Sequence, residues 1–95
     1  MKVVFSERAV DDLTSAAKFY GDRSSVALGQ AFIDVVAQAC NLLSESPYAG
    51  APWRQSTRRL VLRRFPFNVI YRIETDEVQV IAIAHQRRRP DYWTS

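Results

Sequence analysis

The sequence has little of several residue types, and each shortage argues against a class of protein. The single cysteine, Cys40, cannot form an internal disulfide, which argues against a disulfide-stapled secreted domain. No uninterrupted apolar run approaches the roughly 18 residues of a membrane span. Residues 1–6 lack the apolar core and the small-residue cleavage site of a signal peptide. We therefore expect a cytoplasmic protein that does not engage a membrane.

Residues that hold metals and cofactors are also scarce. The chain has one histidine, His85, and three glycines. It shows no glycine-rich phosphate loop, no metal-ligand cluster and no Ser/His/Asp order. We expect neither a metal nor a cofactor.

Charge is unevenly placed along the chain. Residues 1–53 carry four basic and six acidic side chains, a net charge of −2. Residues 54–95 carry nine arginines, no lysine and four acidic side chains, a net charge of +5. The planar guanidinium pairs bidentately with phosphate or carboxylate. This half therefore indicates a face for nucleic acid or an acidic protein segment, with simply solvated arginines as the alternative.

The first half of the chain predicts one strand and two helices. Residues 2–5 form a short apolar strand, and Ser6 is suited to cap the helix that follows. Apolar residues at helical spacing continue to the polar segment 21–25, which should end this helix. A second helix is expected over about 25–44, making an antiparallel helical hairpin, and residues 46–57 read as a loop.

The second half predicts three antiparallel strands. Alternating β-branched and aromatic residues begin at Arg58, and the segments 67–73 and 78–84 flank a short polar turn. We expect a single α+β domain over residues 1–95. In it the N-terminal strand, the hairpin and three antiparallel strands form one largely antiparallel, four-stranded sheet packed on the helices. Both faces of the last strands are apolar, so the face away from the helices must curl on itself or receive a partner.

This order of elements, with several short motifs, resembles the RelE/ParE superfamily of toxins from bacterial type II toxin–antitoxin modules. The resemblance covers nearly the whole chain. The residues that carry it are Phe5-Ser6, Ala9, Asp12-Leu13, Phe19-Tyr20, Gly29, Phe32, Ser46-Pro47, Gly50, Arg59-Leu60, Arg64-Phe65-Pro66-Phe67, Val69-Ile70-Tyr71, Ala84-His85-Gln86-Arg87-Arg88 and Pro90-Asp91-Tyr92-Trp93.

The resemblance implies a toxin that a cognate antitoxin neutralises, with operator DNA bound only through the antitoxin. RelE-like members resemble ribosome-dependent mRNA endonucleases, and ParE-like members poison DNA gyrase. The blocks Arg-Phe-Pro-Phe and His-Gln-Arg-Arg are more similar to the ParE-like, plasmid-stabilisation branch. We therefore favour gyrase as the target. A ribosome-dependent mRNA endonuclease and an inactive homologue acting only as co-repressor are the alternatives.

Candidate site residues lie in the arginine-rich half. If the chain is a metal-independent nuclease, the catalytic candidates are His85, Arg64, Arg88 and Tyr92. However, the strand and loop before Phe65 hold no lysine or glutamate partner, which argues against an enzyme. The candidates for target or antitoxin binding are Arg58, Arg59, Arg63, Arg87, Arg88, Arg89, Tyr92 and Trp93.

Three of these residues have competing interpretations. His85 can bond the backbone at a strand end, take part in catalysis, or contact the target or antitoxin. Tyr92 and Trp93 are more typical of packing against the sheet than of a stacking platform.

Overall fold

The computed structural model describes residues 1–94 and shows a helical hairpin on one face of a five-stranded sheet. A tight turn with left-handed backbone at Gln55 and Ser56 follows Trp53, and a single 3-10 turn occupies Tyr92–Thr94. The elements in chain order are β1 (Lys2–Phe5), α1 (Glu7–Arg23), α2 (Val26–Glu45), β2 (Ala51–Pro52), β3 (Arg58–Val61), β4 (Phe67–Ile73) and β5 (Glu77–His85). The predicted α+β fold is confirmed.

The strands lie in the order β1-β5-β4-β3-β2, with β1 parallel to β5 and every other pair antiparallel. The predicted pairing of 67–73 with the strand that follows is confirmed. The fifth strand, β2, lies in the segment expected to be a loop. It has only two residues, one of them Pro52, and proline cannot donate to a ladder, so it carries no periodic signal.

Serine side chains begin both helices. The Oγ of Ser6 accepts a hydrogen bond from the Ala9 amide, and that of Ser25 accepts one from the Leu28 amide, each at 3.0 Å. These bonds satisfy amides that have no partner within the helix. The predicted cap at Ser6 is confirmed.

The first helix does not end at Gly21, as the sequence suggested, but continues to Arg23. A glycine inside a helix costs only about 1 kcal/mol relative to alanine, so it does not by itself end the helix. The two helices pack closely at Gly29. A Cβ added to Gly29 would lie 2.9 Å from the Ala17 carbonyl oxygen and 3.4 Å from the Gly21 Cα. Gly29 therefore allows the two helices to pack closely, whereas a Cβ on Gly21 would meet no atom within 4 Å.

The main core fills the space between the hairpin and the sheet. Phe32 of α2 is fully buried, and its ring centroid lies 5.0 Å from that of Phe67 and 5.1 Å from that of Phe65. Tyr20 of α1 joins the same cluster. By length and composition α2 could cross a membrane, but a core helix of a soluble protein passes the same test. Its buried side chains pack in this core.

The opposite face of the sheet, called here the second face, is covered in its centre by the chain itself. Ile70, Ala82 and Ala84 pack with Tyr92 and Trp93 in a smaller apolar cluster. The partly buried residues Trp53 and Ile81 adjoin it. Of the two arrangements expected for this face, the molecule adopts the self-covered one at this cluster.

A buried tyrosine ties the loop before β2 to the sheet. The Tyr71 hydroxyl donates to the Pro47 carbonyl at 2.7 Å and accepts from the Gly50 amide at 2.9 Å. A Cβ on Gly50 would lie 2.7 Å from that hydroxyl and 2.8 Å from the Arg59 carbonyl oxygen. Only glycine fits here without a shift of the backbone.

Replacing Phe32 with alanine should lower the free energy of unfolding by about 3–5 kcal/mol, because its ring is fully buried among other aromatic rings. The neighbouring Ile33 is 38% exposed, so Ile33→Ala should cost about 1 kcal/mol or less. Urea unfolding of both variants measures the difference. Equal losses would contradict this assignment of the core.

Candidate functional site around the C-terminal arginines

The site begins at an irregularity in β5. β1 pairs with β5 only as far as Val80, so the edge of β5 from Ile81 onward extends beyond β1. The register with β4 shifts at the same point: Tyr71 faces Val80 and Ile70 faces Ala82, which leaves Ile81 as the extra residue of a β-bulge. A β-bulge bends the strand and changes the direction in which its side chains point.

Side chains from segments distant in sequence form hydrogen bonds with the backbone groups of this edge. The Ser6 hydroxyl donates to the Ile81 carbonyl at 2.8 Å, and the Ile83 amide donates to Asp12 Oδ2 at 3.0 Å. The Tyr92 hydroxyl donates to the same Asp12 oxygen at 2.8 Å. One carboxylate on α1 thus joins the helix, the edge of β5 and the C-terminal segment, defined here as residues 86–94.

Tyr92 is buried and enclosed by cationic groups. The Arg88 guanidinium lies 4.0 Å from its ring centroid and that of Arg8 lies 5.4 Å away, within the range of cation–π attraction. Burial, helped by the bond to Asp12, raises the pKa of Tyr92 well above its usual range. The phenol therefore remains protonated at neutral pH and acts as a donor.

His85 stabilises the turn that leaves β5. Its Nδ1 accepts a hydrogen bond from the Arg87 amide at 3.1 Å, and its carbonyl accepts one from the Arg88 amide at 2.9 Å. Its ring meets Phe67 edge-on with the centroids 5.0 Å apart. The bond is to a backbone amide of the turn, so His85 has a structural role whatever else it does.

A groove of about 380 Å³ runs between α1 and β5. His85 and Arg88 line it with Asp11 and Asp12, over a floor that includes Phe67. Among residues 1–94, no group of three His, Cys, Asp or Glu side chains could hold a metal ion.

The four catalytic candidates are not assembled around one point. His85 and Arg88 share the α1–β5 groove, and Tyr92 lies beside Arg88 with its hydroxyl on Asp12. Arg64 instead lines a separate groove between α2 and β3 and lies 5.3 Å from the ring centroid of Phe65.

The binding candidates on and beside β3 differ in how firmly they are held. The Arg58 Nε donates to the Gly50 carbonyl at 2.9 Å, and its guanidinium lies 5.0 Å from the ring centroid of Tyr48. The Arg59 guanidinium lies 3.8 Å from the ring centroid of Trp53. Arg63 is exposed. Two of the three arginines thus help to fix the fold.

The C-terminal segment combines buried rings with exposed charge. Arg87, Arg88 and Arg89 are exposed, whereas Tyr92 and Trp93 are buried against the second face. On the other side an exposed ion pair joins Arg54 and Asp91 at 3.5 Å, and such a pair adds little stability.

Sequence reasoning gave no structural role to the two residues that organise this region. In the sequence Asp12 stands out only as part of the family motif Asp12-Leu13, and Trp53 lies without further distinction in the loop predicted over residues 46–57. The motif Asp12-Leu13 was a usable signal, because a carboxylate on the apolar side of a helix calls for a buried donor. For Trp53, nothing in the local pattern pointed to the second face.

Comparison with known proteins identifies the class as the toxins of bacterial type II toxin–antitoxin systems. The family model for the ParE toxin of the type II system parDE matches residues 3–90, so the chain belongs to the ParE toxin family. The predicted ParE-like branch is thereby confirmed. A toxin of such a system has a cognate antitoxin as its partner.

Individual relatives agree with the family. The chain is 26% identical over 81 residues to Toxin ParE2 of Mycobacterium tuberculosis, strains CDC 1551 and H37Rv, which covers 85% of this chain and 77% of the relative. A solved structure of the chromosomal ParDE system from P. aeruginosa superposes with a TM-score of 0.80. It covers 90% of this chain and 95% of that one at 22% identity, which supports the fold.

Tyr92→Phe should lower the free energy of unfolding by about 1–2 kcal/mol near neutral pH, because Asp12 loses one of its two donors. It should also flatten the loss of stability above about pH 10. A raised pKa means that the folded state holds the phenolic proton more tightly than the unfolded state does. Stability is therefore fully present below the unfolded pKa and declines as pH rises past it.

Urea unfolding of both proteins between pH 8 and pH 11 measures this effect. Burial also raises the pKa of Tyr20 and of Cys40, but both residues are present in either protein, so the difference isolates Tyr92. Parallel pH profiles would contradict the buried Asp12–Tyr92 bond.

Proposed function

We propose that this chain is a cytoplasmic toxin that its cognate antitoxin neutralises and that inhibits DNA gyrase by binding it. The observation that carries the choice of a binding mechanism over an enzymatic one is the dispersal of the catalytic candidates. Arg64 lies on another groove from His85 and Arg88, and the Tyr92 hydroxyl donates a hydrogen bond to Asp12.

The chemistry of RNA cleavage explains why this dispersal supports the proposed binding mechanism. Cleavage without a metal needs a base for the 2′-hydroxyl, an acid for the leaving oxygen and cations near the phosphate. His85 is poorly suited to act as the base, because its Nδ1 already accepts a hydrogen bond from the Arg87 amide. The strand and loop before Phe65 supply no lysine or glutamate as a second group. Binding to gyrase requires neither proton transfer.

The charges support binding of an anionic surface, here proposed to lie on gyrase. Among residues 1–94 the ion pairs are Lys18–Asp22 and Arg54–Asp91, so the exposed Arg87 and Arg89 have no carboxylate partner there. Exposed, uncommitted guanidinium groups suit acidic side chains on a partner. Tyr92 and Trp93 support the segment from below, and we assign target contact to the arginines.

One observation favours the rival function, an mRNA endonuclease acting on the ribosome. His85, Arg88 and two carboxylates line the same groove, and a rearrangement of the C-terminal segment would free Tyr92. The experiment on His85 separates the two functions.

His85→Gln should leave growth arrest intact when the toxin is induced without antitoxin. Gyrase inhibition needs no proton from His85, whereas general acid or base catalysis is worth about 10²- to 10⁴-fold and its loss would abolish nuclease toxicity. The measurements are gyrase-dependent supercoiling and mRNA cleavage at translated codons. Codon-linked cleavage by the wild type that disappears in the variant, with supercoiling unchanged, would make the chain an enzyme.

A third outcome of the same experiment is an inactive toxin. If the wild type neither arrests growth nor affects either reaction, yet co-purifies with its antitoxin on operator DNA, the chain is a co-repressor and the proposed toxicity is wrong.

The double variant Arg87→Ala/Arg89→Ala should raise the concentration needed for half-maximal inhibition of gyrase by about tenfold or more, since two charged contacts are removed. The matched control is Arg23→Ala, another exposed arginine, on α1. Supercoiling assays at two salt concentrations measure both. A loss of the same size in the control would show a general charge effect and contradict the assignment.

A further inference from the structure

Two arginine-rich segments meet at one end of the sheet, one after β3 and the other after β5. The Gln86 amide donates a hydrogen bond to the Pro66 carbonyl at 2.8 Å, so the two segments lie side by side. All of their arginines are exposed, and together they are defined here as the basic end: Arg63, Arg64, Arg87, Arg88 and Arg89.

The positive charge of the basic end is not balanced by nearby segments of the chain. Residues 58–73 and 78–90, which include both arginine segments, contain no acidic residue. Among residues 1–94 the ion pairs are Lys18–Asp22 and Arg54–Asp91, and neither involves an arginine of the basic end. Like charges held together repel one another, and an anionic partner would remove that repulsion.

Carboxylates approach the basic end from the helices. Asp11 and Asp12 share the α1–β5 groove with Arg88. Asp34 lines the groove between α2 and β3, called here the α2–β3 groove, together with the first arginine segment. None of the three forms an ion pair with the basic end among residues 1–94. The guanidinium groups therefore remain available to an anion from outside the chain.

A neutral donor lies between the two segments. Asn68 is on β4, which separates β3 from β5 in the sheet. The Gln86 side-chain amide donates to Asn68 Oδ1 at 3.4 Å, which leaves the NH2 group of Asn68 as a donor for a partner. Phosphate oxygens accept hydrogen bonds from asparagine as well as from arginine. The surface thus presents the kinds of donor that bind a phosphate backbone.

The spacing of the two segments suits successive phosphates of one strand. Neighbouring strands of a sheet are about 4.8 Å apart, so segments that follow β3 and β5 are separated by roughly 10 Å. A strand of duplex DNA rises about 3.4 Å per phosphate. The basic end therefore spans about three phosphates of one strand.

The aromatic rings near the basic end favour a duplex over a single strand. Phe65 is buried and Phe67 is half-buried, and both pack in the main core. Proteins that bind single strands stack the bases on accessible aromatic side chains. Neither ring is presented in this way, so the contact expected here is with phosphates and not with bases.

We propose that the basic end binds the phosphate backbone of duplex DNA directly and without sequence preference. Arg63 and Arg64 contact phosphates on one side of Asn68, and the arginines after β5 contact phosphates on the other side. In the complex with gyrase, the same surface reaches DNA that the enzyme holds. That last step rests on the proposed function, whereas binding to free DNA does not.

The probe is a short fluorescent DNA duplex, with a second duplex of unrelated sequence, titrated with the isolated toxin at several salt concentrations. Five phosphate contacts predict a slope of log K against log salt of about −4.5. The double variant Arg63→Gln/Arg64→Gln should reduce the slope to about −2.7 and weaken binding by about tenfold or more, because two phosphate contacts are lost.

The matched control is Arg54→Gln, an exposed arginine before β3 and thus at the opposite end of the sheet. Its slope and affinity should match those of the wild type. An equal loss in this control would show a general charge effect and overturn the proposal. Absence of wild-type binding at low salt would overturn it too, as would tighter binding to the separated single strands. Equal displacement of the duplex by polyglutamate of the same charge would assign the surface to acidic proteins and refute DNA binding.

Two further variants keep the test valid if the double glutamine variant does not fold. Arg63→Lys/Arg64→Lys retains both charges and should keep the slope of the wild type. Asp34→Asn removes the carboxylate beside the first segment and should tighten binding by about threefold, a gain that unfolding cannot produce. A lowered slope in the lysine variant, or no gain with Asp34→Asn, would contradict phosphate contact at Arg63 and Arg64.

The two proposals fail separately. A toxin that binds the duplex but leaves supercoiling by gyrase unchanged would refute the proposed function and leave DNA binding at the basic end standing. A toxin that inhibits gyrase but does not bind the free duplex would overturn only the proposal for the basic end.

Discussion

The carboxylate of Asp12 is the interaction on which the rest of the functional region depends. β1 covers only half of the outer edge of β5, and an uncovered edge exposes backbone groups that invite pairing with another chain. Asp12 accepts a hydrogen bond from the Ile83 amide at this edge, and the same carboxylate oxygen accepts one from the Tyr92 hydroxyl. The C-terminal segment can therefore fold back over the second face, where Trp93 completes a small core.

This anchoring divides the arginines into two groups. Arg58 and Arg59 are held by a backbone carbonyl and by an indole ring, so much of their hydrogen-bonding and cation–π capacity serves the fold. Arg63, Arg87 and Arg89 are exposed. Within residues 1–94 their guanidinium groups make no hydrogen bond, ion pair or ring contact of this kind. Fewer of the arginines in residues 54–95 are thus available to partners than the composition suggests. The available part lies at two places, one beside the α2–β3 groove and one after β5.

The contacts of His85 and Tyr92 bear on how this toxin acts. Side chains that could serve a nuclease are present, but His85 stabilises a turn and Tyr92 holds the C-terminal segment. A catalytic use of either would require breaking a contact that the fold uses. A binding mechanism needs only the exposed arginines on a rigid support, which the buried rings of Tyr92 and Trp93 provide. These contacts are the structural basis of the proposal that the toxin binds its target and does not cleave it.

The sequence by itself determined the elements whose signals are local. Ser6 caps α1, apolar spacing marks both helices, and the polar turn before Glu77 joins two antiparallel strands, because caps, periodicity and short connections act over a few residues. The family blocks also sufficed to predict the ParE branch, which the family model confirms. Tertiary structure alone decided the pairing of β1 with β5, the two-residue β2 and the covering of the second face. Each of these depends on contacts between residues far apart in the chain. Asp12 meets Ile83 and Tyr92 at separations of 71 and 80 residues, and no pattern of spacing encodes such a meeting before the chain has folded.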